Sequence, residues 1–247
     1  MMRRLAVLVA ATGVLGLATT AGTRGALAGG GDEREDDVAR GQELFLTGCA
    51  SCHGADGDGT DQGPSLVDVG AASADFQLTT GRMPNTEPDR ASQSKPPAYD
   101  RDEIDALVAY VASLGEGPEI PDVRYPEGDL VEGGDLYRLN CQACHSAAGN
   151  GGALSSGRNA PTLHGATDVQ VAEAIRTGPG PMPVFGDDTF SDEQTNSIVR
   201  YVRYLRQPSD SGGFSLGRVG PITEGLVALL FGLVVLAFLC RWIEPEQ

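Results

Sequence analysis

The sequence predicts an all-α protein: two helical domains in tandem, each a copy of one pattern, followed by a single membrane-spanning helix. Three observations carry this. A Cys-x-x-Cys-His motif occurs twice, at Cys49–His53 and at Cys141–His145, an offset of 92 residues from Cys49 to Cys141. Each copy closes with an amphipathic helical pattern. An uncharged apolar run, Gly225 to Cys240, lies near the C-terminus.

The elements follow in chain order. Residues 1–28 combine Arg3 and Arg4, an apolar stretch from Leu5 to about Ala18, and Ala26-Leu27-Ala28. This is the pattern of an export signal cleaved after Ala28. The alternative is an uncleaved N-terminal anchor, and either one exports the chain that follows. Residues 29–37 read as an acidic, unstructured leader. The first domain spans 38–115, a Gly- and Pro-rich linker 116–126, and the second domain 127–207. A flexible second linker with Ser-Asp-Ser-Gly-Gly covers 208–220. Residues 221–243 form the membrane helix. The 22 positions from Ile222 to Ile243 span about 33 Å at 1.5 Å per residue, enough to cross a bilayer. Glu224 then falls at the outer interface, Arg241 and Trp242 at the inner one, and 244–247 form a cytoplasmic tail. A buried soluble helix is the competing reading. Cys240, inside the apolar run, reads as a small apolar side chain.

The repeat extends beyond the cysteines. Gly41-Gln-Glu-Leu-Phe45 precedes the first motif, and Gly134-Asp-Leu-Tyr137 the second. Gly63-Pro64-Ser65-Leu66 then matches Ala160-Pro161-Thr162-Leu163. Thr80-Gly81 and Thr177-Gly178 follow, and then Met83-Pro84 and Met182-Pro183. The closing helices are expected over Asp102–Leu114, with Leu107, Tyr110, Val111 and Leu114 on one face, and over Asp192–Leu205, with Ile198, Tyr201, Val202 and Leu205. Asp100 and Ser191 are their expected N-caps. The second copy has five extra residues between histidine and proline, around Gly149–Gly152. The first has a proline-rich insertion from Asn85 to Asp100.

Composition narrows the function. With 18 Lys and Arg against 34 Asp and Glu the formal net charge is −16, which excludes a nucleic-acid binder. Lys95 is the only lysine, so a partner with a large acidic face is not expected. Aromatics make up 6% of the chain. Two domains of this size would bury little apolar surface unaided, so a non-protein group is expected in each core.

That group is named by the motif. Cys-x-x-Cys-His is the attachment sequence for c-type haem: the two thiols add to the two vinyl groups, and the adjacent histidine supplies the proximal nitrogen. Cys49 and Cys52 with His53, and Cys141 and Cys144 with His145, therefore predict two covalently bound haem c. A redox dithiol needs no following histidine. A zinc site would pair its Cys-x-x-Cys units closely, not 92 residues apart. For the sixth ligand, Met1 and Met2 belong to the start of the chain. Of the four methionines this leaves Met83 and Met182, at matching places in the two copies. His164, the third histidine, falls just after the Pro-x-Leu element and reads as a loop or haem-edge residue. A histidine–methionine pair fills both axial positions and favours one-electron relay over chemistry on a substrate. No catalytic side chain is expected.

With these motifs, residues 38–115 and 127–206 each resemble a class I cytochrome c domain. The resemblance implies that the carbonyls of Pro64 and Pro161 steady the proximal histidines. It also implies that the first and last helices of each domain cross at Gly41 with Tyr110 and at Gly134 with Tyr201. The whole arrangement resembles the dihaem cytochrome c subunit of the actinobacterial cytochrome bc1 complex. That family implies cytochrome b and Rieske iron–sulfur subunits as partners, and electron flow from the Rieske centre to an aa3-type cytochrome oxidase. It also implies haem domains on the extracytoplasmic side and a cytoplasmic C-terminus. An anchored dihaem carrier, the cytochrome subunit of another dehydrogenase, and a dihaem peroxidase are the alternatives.

Overall fold

A computed structural model describes residues 29–86, 93–155, 157–207 and 221–243. The expected export segment (1–28), the second linker (208–220) and the tail (244–247) lie outside the described residues. The first half of the chain holds α1 (Gly29–Gly48), α2 (Ala50–His53), α3 (Gly70–Thr79) and α4 (Arg101–Ala112). After a 3₁₀ turn at Tyr125–Glu127 come α5 (Leu130–Asn140), α6 (Gln142–His145), α7 (Asp168–Thr177) and α8 (Asp192–Arg206). The apolar helix α9 covers Pro221–Ile243. Among the described residues the only sheet is a two-stranded hairpin, β1 (Gly152–Ala153) against β2 (Asn159–Ala160). That hairpin takes up the residues inserted in the second copy.

One segment departs from expectation. The leader read as unstructured is the first half of α1. Residues 34–37 are exposed, so burial there does not explain the extension. Once the turns from Gly41 to Gly48 are packed, each further residue adds a hydrogen bond without a new nucleation cost.

Each half is built on a crossing of its first and last helices, α1 with α4 and α5 with α8. The ring pairs Phe45–Tyr110 (centroids 5.0 Å apart) and Tyr137–Tyr201 (5.3 Å) occupy equivalent places in the two crossings. At Gly41 an added Cβ would overlap the Ala106 carbonyl and come within 2.8 Å of Tyr110 Cβ. In the second crossing Gly134 does meet the Tyr201 ring, as expected, but the closest backbone approach falls one residue earlier. Gly133, not Gly134, meets backbone there: its Cβ would overlap the Ser197 carbonyl, whereas one at Gly134 would meet the ends of the Tyr201 and Arg138 side chains. Counting back from the attachment cysteines explains this, since Gly41 and Gly133 each stand eight residues before Cys49 and Cys141. Gly133→Ala should therefore cost about 1–3 kcal/mol, and Gly134→Ala less. Denaturant unfolding of the holoprotein, followed by circular dichroism, checks both.

The closing helices start at the expected caps. Asp100 accepts from the Glu103 amide and Ser191 from the Gln194 amide, each completing a capping box. Their apolar faces are the ones expected, extended by Ile104 and Val108 in α4 and by Val199 in α8. The first core gathers around Phe45, Leu107 and Tyr110, the second around Tyr137, Ile198 and Val202. Helices α3 and α7 pack on α4 and α8, and also on each other across the two halves.

Candidate functional site

The two Cys-x-x-Cys-His motifs form one-turn helices hinged to the ends of α1 and α5. The Cys49 amide donates to the Phe45 carbonyl at 2.8 Å and the His53 amide to Cys49 at 3.0 Å. In the second copy Cys141 donates to Tyr137 at 2.8 Å and His145 to Cys141 at 2.8 Å. Each cysteine thus starts its turn beside the aromatic at the helix crossing.

The histidines are held alike. His53 Nδ1 lies 2.8 Å from the Pro64 carbonyl and His145 Nδ1 3.0 Å from the Pro161 carbonyl. A carbonyl only accepts, so Nδ1 carries the proton and donates, leaving the lone pair on Nε2 free for a metal. These are the contacts implied by the family resemblance, and they recur despite the extra residues in the second copy. The loops that deliver the prolines are pinned to the motif itself: Gly59 donates to the His53 carbonyl at 2.7 Å and Gly151 to the His145 carbonyl at 3.0 Å. His145 is buried, and burial lowers its pKa against the opposing pull of the Pro161 bond, which keeps the ring in its neutral, ligating form.

None of the four motif cysteines is tied up in a disulfide. Burial first, and the neighbouring thiol of its own pair second, push Cys49 and Cys141 up to about 11 each. Among the described residues no three of His, Cys, Asp and Glu converge as metal ligands, which leaves the zinc reading without a donor set.

Met83 and Met182 each pack, partly buried, against the core of their own half. The loops carrying them are fastened differently. In the first half the proline-rich insertion returns to the loop: Ser94 Oγ and the Lys95 amide both reach the Thr80 carbonyl at 3.1 Å, and Lys95 Nζ reaches the Pro84 carbonyl at 2.9 Å. In the second half Arg176, 7% exposed, does this work. Its guanidinium donates to the Phe190 carbonyl at 2.7 Å and the Phe185 carbonyl at 3.3 Å, and pairs with Asp192 at 2.8 Å and Asp187 at 3.1 Å. The sequence carried one cue to Arg176, an arginine standing where the first copy has Thr79. Tyr99 is a second residue the motifs do not point to. It packs on the first core, beside Cys49, and its pKa is raised by burial, then by Cys49 and Glu103. His164 serves its loop, donating from Nε2 to the Ala148 carbonyl at 2.8 Å.

The donor set suits a covalently held haem in each half: two unpaired thiols one helical turn apart, an imidazole with its tautomer fixed, and a thioether lodged at the edge of the same core. Comparisons with known proteins agree. The cytochrome c family model matches residues 38–115, and that of cytochrome c oxidase, cbb3-type, subunit III matches 128–202. The cytochrome bc1 complex cytochrome c subunit of Mycobacterium tuberculosis (strain H37Rv) is 42% identical over 228 residues, which is 87% of this chain and 81% of that protein. The protein of the same description from Corynebacterium diphtheriae is 36% identical, over 85% of this chain and 81% of its own length. The cbb3-type cytochrome c oxidase subunit CcoP of an Azospirillum species is 29% identical over 68% of this chain and 62% of its own length.

Proposed function

The chain belongs to the family of cytochrome bc1 complex cytochrome c subunits, and on that premise we propose which of its atoms carry the electron relay and between which partners. It is a membrane-anchored relay cytochrome with two covalently bound haem c groups. When bound, each group supplies one iron that exchanges a single electron.

Cys49 and Cys52 anchor the first haem, and Cys141 and Cys144 the second. His53 and His145 ligate through Nε2, because Nδ1 of each is committed to a proline carbonyl. Met83 and Met182 would supply the second protein ligand to each iron, from the loops that follow α3 and α7. Lys95 and Arg176 keep those loops closed. A haem iron held by both a histidine and a methionine of the chain would offer no open position to peroxide, which disfavours a peroxidase. The observation that carries this reading is the recurrence of one histidine–proline geometry in both halves of a duplicated chain.

The haem domains lie on the extracytoplasmic side and the C-terminus in the cytoplasm. Electrons arrive from a Rieske iron–sulfur subunit, in a complex that also holds cytochrome b, and leave for an aa3-type oxidase. Quinol is oxidised elsewhere in that complex, so this chain transfers electrons without substrate chemistry of its own. Purification from membranes tests this. Cytochrome b and the Rieske protein should co-purify, quinol should reduce both haems, and a pyridine haemochrome assay should count two thioether-bonded haems per chain. Fewer than two overturns the ligand assignment.

A further inference from the structure

The two halves meet where α3 packs against α7. Gln170 Nε2 donates to Thr79 Oγ1 across this contact at 3.1 Å. In the same contact Asp75 of α3 and Glu173 of α7 bring their carboxyl groups within hydrogen-bonding reach. Glu173 is 0% exposed and Asp75 3%. Neither is repeated: with Thr80-Gly81 set on Thr177-Gly178, Asp75 falls on Ala172 and Glu173 on Phe76. The pair therefore exists only because the two copies face each other.

The neighbouring charges do not neutralise it. Arg101, on α4, donates to Asp75 at 2.7 Å and also to Asp105, so one guanidinium already serves two carboxylates. Its side chain is 54% exposed. The other charges along α7 and α8 are engaged elsewhere, Arg176 with Asp187 and Asp192, and Arg203 and Arg206 with Asp168. Neither oxygen of Glu173 finds a donor among the described residues. An ionised Glu173 would be a desolvated charge facing another carboxylate. A bound proton removes that charge and turns the contact into a hydrogen bond.

We propose that Glu173 and Asp75 form a proton-binding site between the two haem domains, in which one proton bridges the carboxyl groups and holds α3 against α7. Glu173 donates as the neutral acid and Asp75 accepts as the carboxylate. Losing the proton to solvent leaves two facing carboxylates and drives the helices apart. Burial first and Asp75 second push the Glu173 carboxyl up to about 9, with Arg101 opposing. The docked state thus holds its proton more tightly than the separated state. Docking is strongest below the ordinary carboxylate range, weakens by up to about tenfold per pH unit as pH rises towards 9, and then levels off. Because α3 and α7 lead into the Met83 and Met182 loops, this proton governs how the two loops are placed relative to each other. The inference rests on the interface and does not depend on the electron partners assigned above.

Infrared difference spectra of the full-length holoprotein test it. A protonated-carboxyl C=O band is expected at neutral pH, lost with a midpoint near pH 9, and absent in Glu173→Gln. Small-angle scattering should show the radius of gyration rising over the same interval in the native protein and staying constant in Glu173→Gln. Asp75→Asn keeps the Arg101 contact and removes the like charge, so it should move the midpoint down; this second variant decides the matter if Glu173→Gln fails to fold. No such band at neutral pH, a band unchanged in Glu173→Gln, a midpoint unmoved in Asp75→Asn, or a constant radius in the native protein would each overturn the proposal.

Discussion

Serine at both Cys49 and Cys52 will leave one haem per chain and an unfolded first domain. The first core cluster contains eight buried apolar side chains, one of them Ala74. That is thin for a domain matched over residues 38–115. Cys49, Leu66 and Met83 pack at its edge, only partly buried, where the haem is expected to complete the packing. Without thioether anchors the group is lost, and with it most of the domain's stability, which for a domain of this size is about 5–15 kcal/mol in total. Pyridine haemochrome should fall to half. Limited proteolysis should cut within 38–115 while the second domain keeps its haem and stays resistant. A protease-resistant first domain without haem would refute the idea that the cofactor completes its core.

Alanine at Met83 or Met182 should have the second-largest effect, and a different kind. The cysteines and histidines remain, so both haems should stay attached, but under the proposed ligation one iron would lose its thioether. Methionine raises the reduction potential relative to nitrogen ligation. Each substitution should therefore lower one midpoint by a sizeable part of the roughly 0.8 V range that axial ligands span. Spectroelectrochemical titration would resolve one shifted and one unshifted haem in each variant. If both potentials stay where they were, the ligand assignment for that methionine is wrong. The Lys95 and Arg176 fastenings imply that Arg176→Ala weakens methionine ligation only in the second domain.

Much of this was legible without coordinates, and the reason is range. Asp100 and Ser191 cap their helices through contacts three residues away, so their roles are written in local spacing. The thiols at 49/52 and 141/144 lie within one turn of their histidines, and backbone geometry alone brings them together. The Pro64 and Pro161 contacts reach further, but they recur with the repeat, and a repeated pattern can be carried from one family to another. The helical leader is not legible in the sequence because its exposed residues have no apolar period, while a helix can extend from a packed end. That the backbones meet at Gly133 and not at Gly134 is not legible in spacing, because a one-residue slip is invisible until a specific carbonyl, that of Ser197, stands in the way.

Spacing and periodicity were enough to establish two attachment sites, a duplicated helical domain and an apolar helix long enough to cross a membrane. For Arg176 they offered only its mismatch with Thr79, since its four partners lie nine to sixteen residues downstream, in the loop before α8 and at that helix's first residue. They were silent on Glu173 and Asp75, which belong to different copies and have no counterpart in either. Short-range chemistry is set by covalent neighbours. The protonation of a buried carboxyl depends on which faces come together, and that emerges only when the two halves are packed.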